Sequence, residues 1–398
     1  MRDDQYSREY GERLVDEVLM GRMTRRQLLV RASVVGLSVG AVGSLLAACG
    51  SPPVKAASGS GATATSAQAL GGMSALVAAA KKEGELNVIA LPPNWANYGV
   101  IINTFKAKYG LTVNSANPQG SSADEISSAK DLKGQSTAPD VFDLGTNVAM
   151  TNLPMFAPYK VSTFQDIPAN FKDANGLWVN DYGGYQSIGY NAHKVPAITT
   201  VRDLLKPVYK NKVAMDGNPA LSGGGFYGLM MVNLGVGGSA DDVSKGIAFF
   251  KQLKAAGNFL PVGASPATEA SGQTPVVIDW DYLNVSESVV EKGLDWKTVV
   301  PTGAVVGSYY VQAINVDAPH PAAARLWQEF LYSDEGQNLF LKGFVMPVRL
   351  ASMTKAGTVD AAALAALPKV VGAPVFLTPK QVATDSAYVA AHWAQAVQ

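Results

Sequence analysis

A chain of 398 residues is too long for one ordinary hydrophobic core and implies two domains. Lysine plus arginine number 32 and aspartate plus glutamate number 32, so there is no basic surplus of the kind that binds nucleic acid. A hydrophobic share of 47% excludes a largely disordered protein, while one cysteine and three scattered histidines exclude a disulfide framework and multi-cysteine metal sites, and leave little for histidine-based catalysis.

Residues 1–31 hold seven arginines and six acidic residues, and 32–48 is an uncharged run broken by Gly36, Gly40 and Gly43. A basic region, an apolar stretch and a small-residue end form an export signal rather than a membrane span. Arg25-Arg26 followed by Leu28-Leu29 resembles the twin-arginine signal. Residues 46–50 (LAACG) resemble the bacterial lipobox, which implies lipidation of Cys49 and cleavage before it. The alternative is a signal-anchor helix with a buried structural cysteine. Residues 1–48 are thus expected to be a signal peptide, and 49–71, rich in serine, alanine and glycine, a flexible tether carrying the lipid.

From 72 onward, helical and strand patterns alternate. Residues 73–83 have apolar residues at helical spacing, basic residues in the last turn and Gly84 as a stop. Strands are expected at 85–91, 111–114, 139–145, 185–191, 212–216, 275–281 and 307–315. Helices are expected at 98–109, 201–205, 226–234, 242–255 and 322–333. This rhythm predicts an α/β fold of mainly parallel sheets flanked by helices.

Three stretches carry a family likeness: 76–86 (LVAAAKKEGEL), 138–144 (APDVFDL), and 318–331 (APHPAAARLWQEFL) followed by 333–337 (SDEGQ). Their order and spacing resemble the ABC-transporter solute-binding proteins, in the branch that carries ferric iron, thiamine, polyamines and aminophosphonates. The resemblance implies a type II periplasmic-binding fold of two lobes joined by crossing strands, with ligand held in the cleft between them. It places one lobe at 72–182 plus 306–350 and the other at 183–305 plus 351–398. It further implies a monomeric, lipid-anchored receptor on the outer face of the bacterial cytoplasmic membrane, without cofactor or enzymatic activity, that passes a small solute to a permease.

In open α/β sheets ligands bind beyond the carboxyl ends of strands, which directs attention to particular loops. Asn94 and Trp95 follow the first strand, where the indole either stacks on a ligand or packs on its own lobe. Ser122 lies at a helix start, where a hydroxyl more commonly caps the helix. Ser222, Gly223 and Gly224 enter a helix and either expose N–H groups to an anion or form a close-packed turn. Asp279, Trp280 and Asp281 end an apolar strand; alternation puts the two carboxylates on one face, where an ammonium is well held. Iron-carrying relatives have a consecutive tyrosine pair here, and its replacement by Trp280-Asp281 argues against ferric binding. Tyr185, at a strand start, and the Tyr309-Tyr310 pair, of which alternation sends one ring to the cleft, complete the candidate set. The preferred ligand is polyamine-like or otherwise amine-bearing; an aminophosphonate, thiamine or ferric iron are the alternatives. An exported enzyme using Asp279 and Asp281 as an acid–base pair is the rival class.

Overall fold

The structure is a computed structural model that describes residues 60–290 and 293–397. The export signal and Cys49 lie outside the described residues. Except for the turn at 134–137, the described residues form one compact unit.

The order begins with helix α1 (Met73–Glu83), strand β1 (Glu85–Ile89), α2 (Tyr98–Tyr109) and β2 (Thr112–Ala116). Gly84 and Gly110 end the two helices in the left-handed conformation, which a glycine adopts without strain. β1 and β2 pair in parallel. Next come α3 (Ser122–Asp131), β3 (Val141–Leu144), β4 (Phe156–Ala157) and the thirteen-residue β5 (Val179–Asn191). β6 (Val213–Met215), α4 (Gly223–Gly235), α5 (Ser244–Ala255), β7 (Phe259–Gly263), β8 (Val276–Trp280) and α6 (Asp281–Val290) follow. The remainder is β9 (Trp296–Val299), β10 (Val306–Asn315), α7 (Pro321–Leu331), α8 (Asp334–Lys342), β11 (Met346–Pro347), β12 (Val375–Phe376) and α9 (Pro379–Val397).

β5 is the spine. Its first half pairs antiparallel with β10 and β11, and its second half pairs antiparallel with β8 and β9. β10 runs on to pair with β3 and β4, while β6 joins β8 and β7 joins β6, both in parallel. The long strand therefore passes from one half-sheet into the other, and two lobes share it. All ten residues of β10 and nearly all of β5 are buried, because helices cover both faces.

Two elements differ from the sequence expectation. Ser60–Thr63 is a short helix, and Ala64 and Ala67 are buried, so the stretch taken as tether is packed from residue 60. The cause is Arg325, only 1% exposed on α7, which donates from Nε to the Ala64 carbonyl (2.7 Å) and from Nη2 to the Ala62 carbonyl (2.9 Å). A buried guanidinium needs acceptors, and this segment's backbone supplies them. Second, the strand expected at 275–281 ends at Trp280, and Asp281 already belongs to α6.

Candidate functional site

The loops beyond the carboxyl ends of β1, β3, β6, β7 and β8 enclose a cavity of about 200 Å³ that adjoins a smaller chamber of about 60 Å³. Ser122, Glu125 and Asp143 stand on one wall of the larger cavity, and Asp216, Ser222 and Gly223 stand on the other. Trp95 and Asp216 line both spaces. The smaller chamber adds Asn94, Glu269, Asp279 and Glu287.

The wall built from α3 and β3 is braced internally. Ser122 Oγ accepts from the Gly145 N–H (3.0 Å), and Glu125 Oε2 accepts from the Asp143 N–H (2.9 Å). Trp95 Nε1 donates to the Tyr182 hydroxyl (2.8 Å), which donates to Asp143 Oδ2 (2.8 Å). The chain fixes the indole against the cleft. Rings continue the surface. Trp95 meets Tyr310 edge-on at 5.7 Å and Tyr282 at 6.1 Å, while Tyr182 stacks on Tyr310 and Trp280 on Tyr282. Such a surface offers π-faces to a cation.

Six carboxylates line the two spaces, and among the described residues neither is lined by a lysine, arginine or histidine. Burial pushes Glu269 up to about 8, with Glu287 and Asp216 adding repulsion. Burial likewise raises Asp143 and Asp216, and raises Asp279 well above the usual carboxylate range with Asp216 and Glu269 contributing. The first turn of α4 presses on Asp216: a Cβ built on Gly224 would collide with Asp216 Oδ2. The positive end of this helix thus already faces a carboxylate of the protein itself.

Of the residues singled out from sequence, Trp95, Ser122, Ser222, Gly223 and Tyr310 line the larger cavity, and Asn94 and Asp279 the smaller. Gly224 lies behind them against Asp216. Trp280 is buried beneath, packed on Tyr227, Tyr282 and Tyr310. Tyr309 points to the opposite side of its strand, where it meets Phe171 and Phe376. Asp281 does not share a face with Asp279, because the strand gives way to a helix between them. Asp281 Oδ1 instead accepts from the Tyr185 and Tyr282 N–H groups, both at 2.9 Å, and ties α6 to β5. Tyr185 thus takes part through its backbone. Of the six carboxylates the sequence singled out Asp279, and it missed Glu125, Asp143, Asp216, Glu269 and Glu287.

These titrations set a pH dependence. In the unfolded chain the carboxyls ionise near pH 4, whereas folded Glu269 holds its proton to about 8 and Asp281 to about 7. Between these limits the folded state binds more protons, so stability falls as pH rises. The unliganded protein is expected to melt higher at pH 5.5 than at pH 8, by on the order of 5 °C. Scanning calorimetry at the two values checks it; an equal or reversed order would show that these acids are solvated.

The profile of the bacterial extracellular solute-binding proteins matches residues 138–373. No curated protein matches significantly. Among solved structures, the binding protein AgtB from A. tumefaciens R10 in complex with agropinic acid is 16% identical, with a TM-score of 0.64 over 79% of this chain and 98% of that one. AfuA from Actinobacillus pleuropneumoniae, with fructose-6-phosphate bound, is 19% identical, with a TM-score of 0.63 over 79% and 98%. Iron-bound HitA from Pseudomonas aeruginosa is 17% identical, with a TM-score of 0.57 over 79% and 99%. The matched segment exceeds half the chain, and the protein belongs to the bacterial extracellular solute-binding protein family. Members of this family bind small solutes and deliver them to a membrane permease; family and structural neighbours are binding proteins, not enzymes. Among the described residues no helix is long and apolar enough to cross a membrane.

Proposed function

We propose that this protein is the lipid-anchored receptor of an ABC importer for a small amine-bearing organic cation. The observation that carries the reading is the cleft lined by six carboxylates and aromatic rings and, among the described residues, by no basic side chain. An ammonium gains charge-assisted hydrogen bonds from the acids and cation–π contact from Trp95 and Tyr310. An aminophosphonate is disfavoured, since the helix end that suits an anion faces Asp216. Residues 72–182 plus 306–350 and 183–305 plus 351–398 act as the closing lobes, and the chain works as a monomer tethered through Cys49.

A thermal-shift screen of linear amines, thiamine, aminophosphonates and ferric salts tests it. A binding amine at 100 times its dissociation constant stabilises by about 2.7 kcal/mol, a visible shift. Stabilisation by an anion or ferric ion, with none by amines, would overturn the ligand class.

A further inference from the structure

The smaller chamber has a composition of its own. Glu269 comes from the short helix Pro266–Ala270, Asp279 from the end of β8, Glu287 from α6, and Asp216 closes the side toward the larger cavity. Glu269 is only 3% exposed, and its carboxylate has no hydrogen-bond or ion-pair partner among the described residues. Asp279 is 7% exposed, and Oδ1 accepts from the N–H of the next residue, Trp280 (2.7 Å). A buried acid left without a donor keeps its proton, as Glu269 does in the unliganded protein, and one that faces a cavity gives that proton up when a cationic donor arrives from outside. A metal ion is the wrong donor, because hard cations require several oxygens at 2.3–2.6 Å and no such convergence exists among the described residues. A primary ammonium fits better. It brings three N–H donors, tolerates longer and more widely spread acceptors, and is compact enough for a space of about 60 Å³.

Resting on the amine reading above, we infer that this chamber seats the terminal ammonium of a linear diamine whose second cationic nitrogen lies in the larger cavity. Asp216 borders both spaces and marks the passage between them. Asp143, on the far wall of the larger cavity, is the acceptor for the second nitrogen. A compact monoamine fills only one of the two acidic spaces.

The test is titration calorimetry with 1,4-diaminobutane and with butylamine. The unaltered protein should prefer the diamine by at least about tenfold, as a second set of charge-assisted hydrogen bonds implies. Glu269→Gln should remove most of that preference, the diamine losing more affinity than butylamine. Ser286→Lys, on the chamber wall, tests the same point independently of the folding of that variant, because its tethered ammonium occupies the space and should also abolish the preference. Equal affinities for the two amines in the unaltered protein, or an undiminished preference in both variants, would overturn the inference while leaving an amine receptor standing. Binding of neither amine would overturn both readings.

Discussion

Replacing Asp216 with asparagine is expected to raise the stability of the unliganded protein at pH 8 and to weaken amine binding by roughly 30-fold or more. The two effects have one source. Asp216 is half-buried at the end of β6, borders both acidic spaces, and lies near enough to Asp279 and Glu269 to raise their proton affinity. At pH 8, above the raised titration of Asp216 at about 6, its ionised form bears the cost of burial, and among the described residues no lysine, arginine or histidine lines its two spaces. Asparagine removes that charge and keeps nearly the same volume, so the Gly224 contact survives. The positive end of α4 acts in the other direction and favours the ionised form, but that effect contributes typically below about 1 kcal/mol at a partly exposed site. The cost of ionising a buried carboxyl should win. The melting temperature of Asp216→Asn at pH 8 should rise by a few degrees, and titration with a linear amine should show the affinity loss. A destabilised variant that binds normally would mean that Asp216 supports the fold rather than the ligand. The gain should shrink toward pH 5.5, where the acid is already largely protonated.

This opposition between stability and binding bears on what the sequence revealed. The apolar stretch of β8 and helix stops such as Gly84 and Gly110 are local signals, so the alternation of elements was readable. Trp95 and Asp279 were readable because each stands beyond an apolar strand. Asp216 was not, because its strand is only Val213–Met215 and the loop after it carries no motif. Asp143 sits inside an apolar strand, and only the meeting of that strand with Tyr182 turns it toward the cleft. Glu269 lies on a five-residue helix whose sequence resembles any solvated turn. The pairing of Asp279 with Asp281 assumed that strand alternation continued, and the helix starting at Asp281 ended it. Arg325 shows the same limit in the fold: no local pattern around residues 60–64 announces a buried guanidinium from α7. Long-range convergence, rather than local pattern, builds this site.

Gly145→Ala should reduce ligand affinity by roughly 50-fold while leaving unfolding within about 1 kcal/mol of the unaltered protein. Gly145 has φ −58° and ψ 140°, a conformation open to any residue, so alanine carries no backbone penalty. The effect is steric. A Cβ at this position would lie 2.6 Å from Gly223 Cα and 2.9 Å from Gly223 N, about an ångström inside ordinary contact. Gly145 follows the strand that carries Asp143, and Gly223 opens the helix beside Asp216, so the two glycines bring the opposite walls of the cleft together. Both colliding atoms on the far side are backbone, which cannot rotate away as a flexible side chain does. In a two-lobed receptor the walls separate when the cleft opens, and the added methyl then meets nothing on the far side. It therefore disfavours the closed state selectively, and affinity drops by the fraction of closed population lost. Solution scattering should show the variant remaining more extended than the unaltered protein when amine is added. Wild-type affinity with normal compaction would show that the two backbones can slide past each other, and that closure does not depend on this contact.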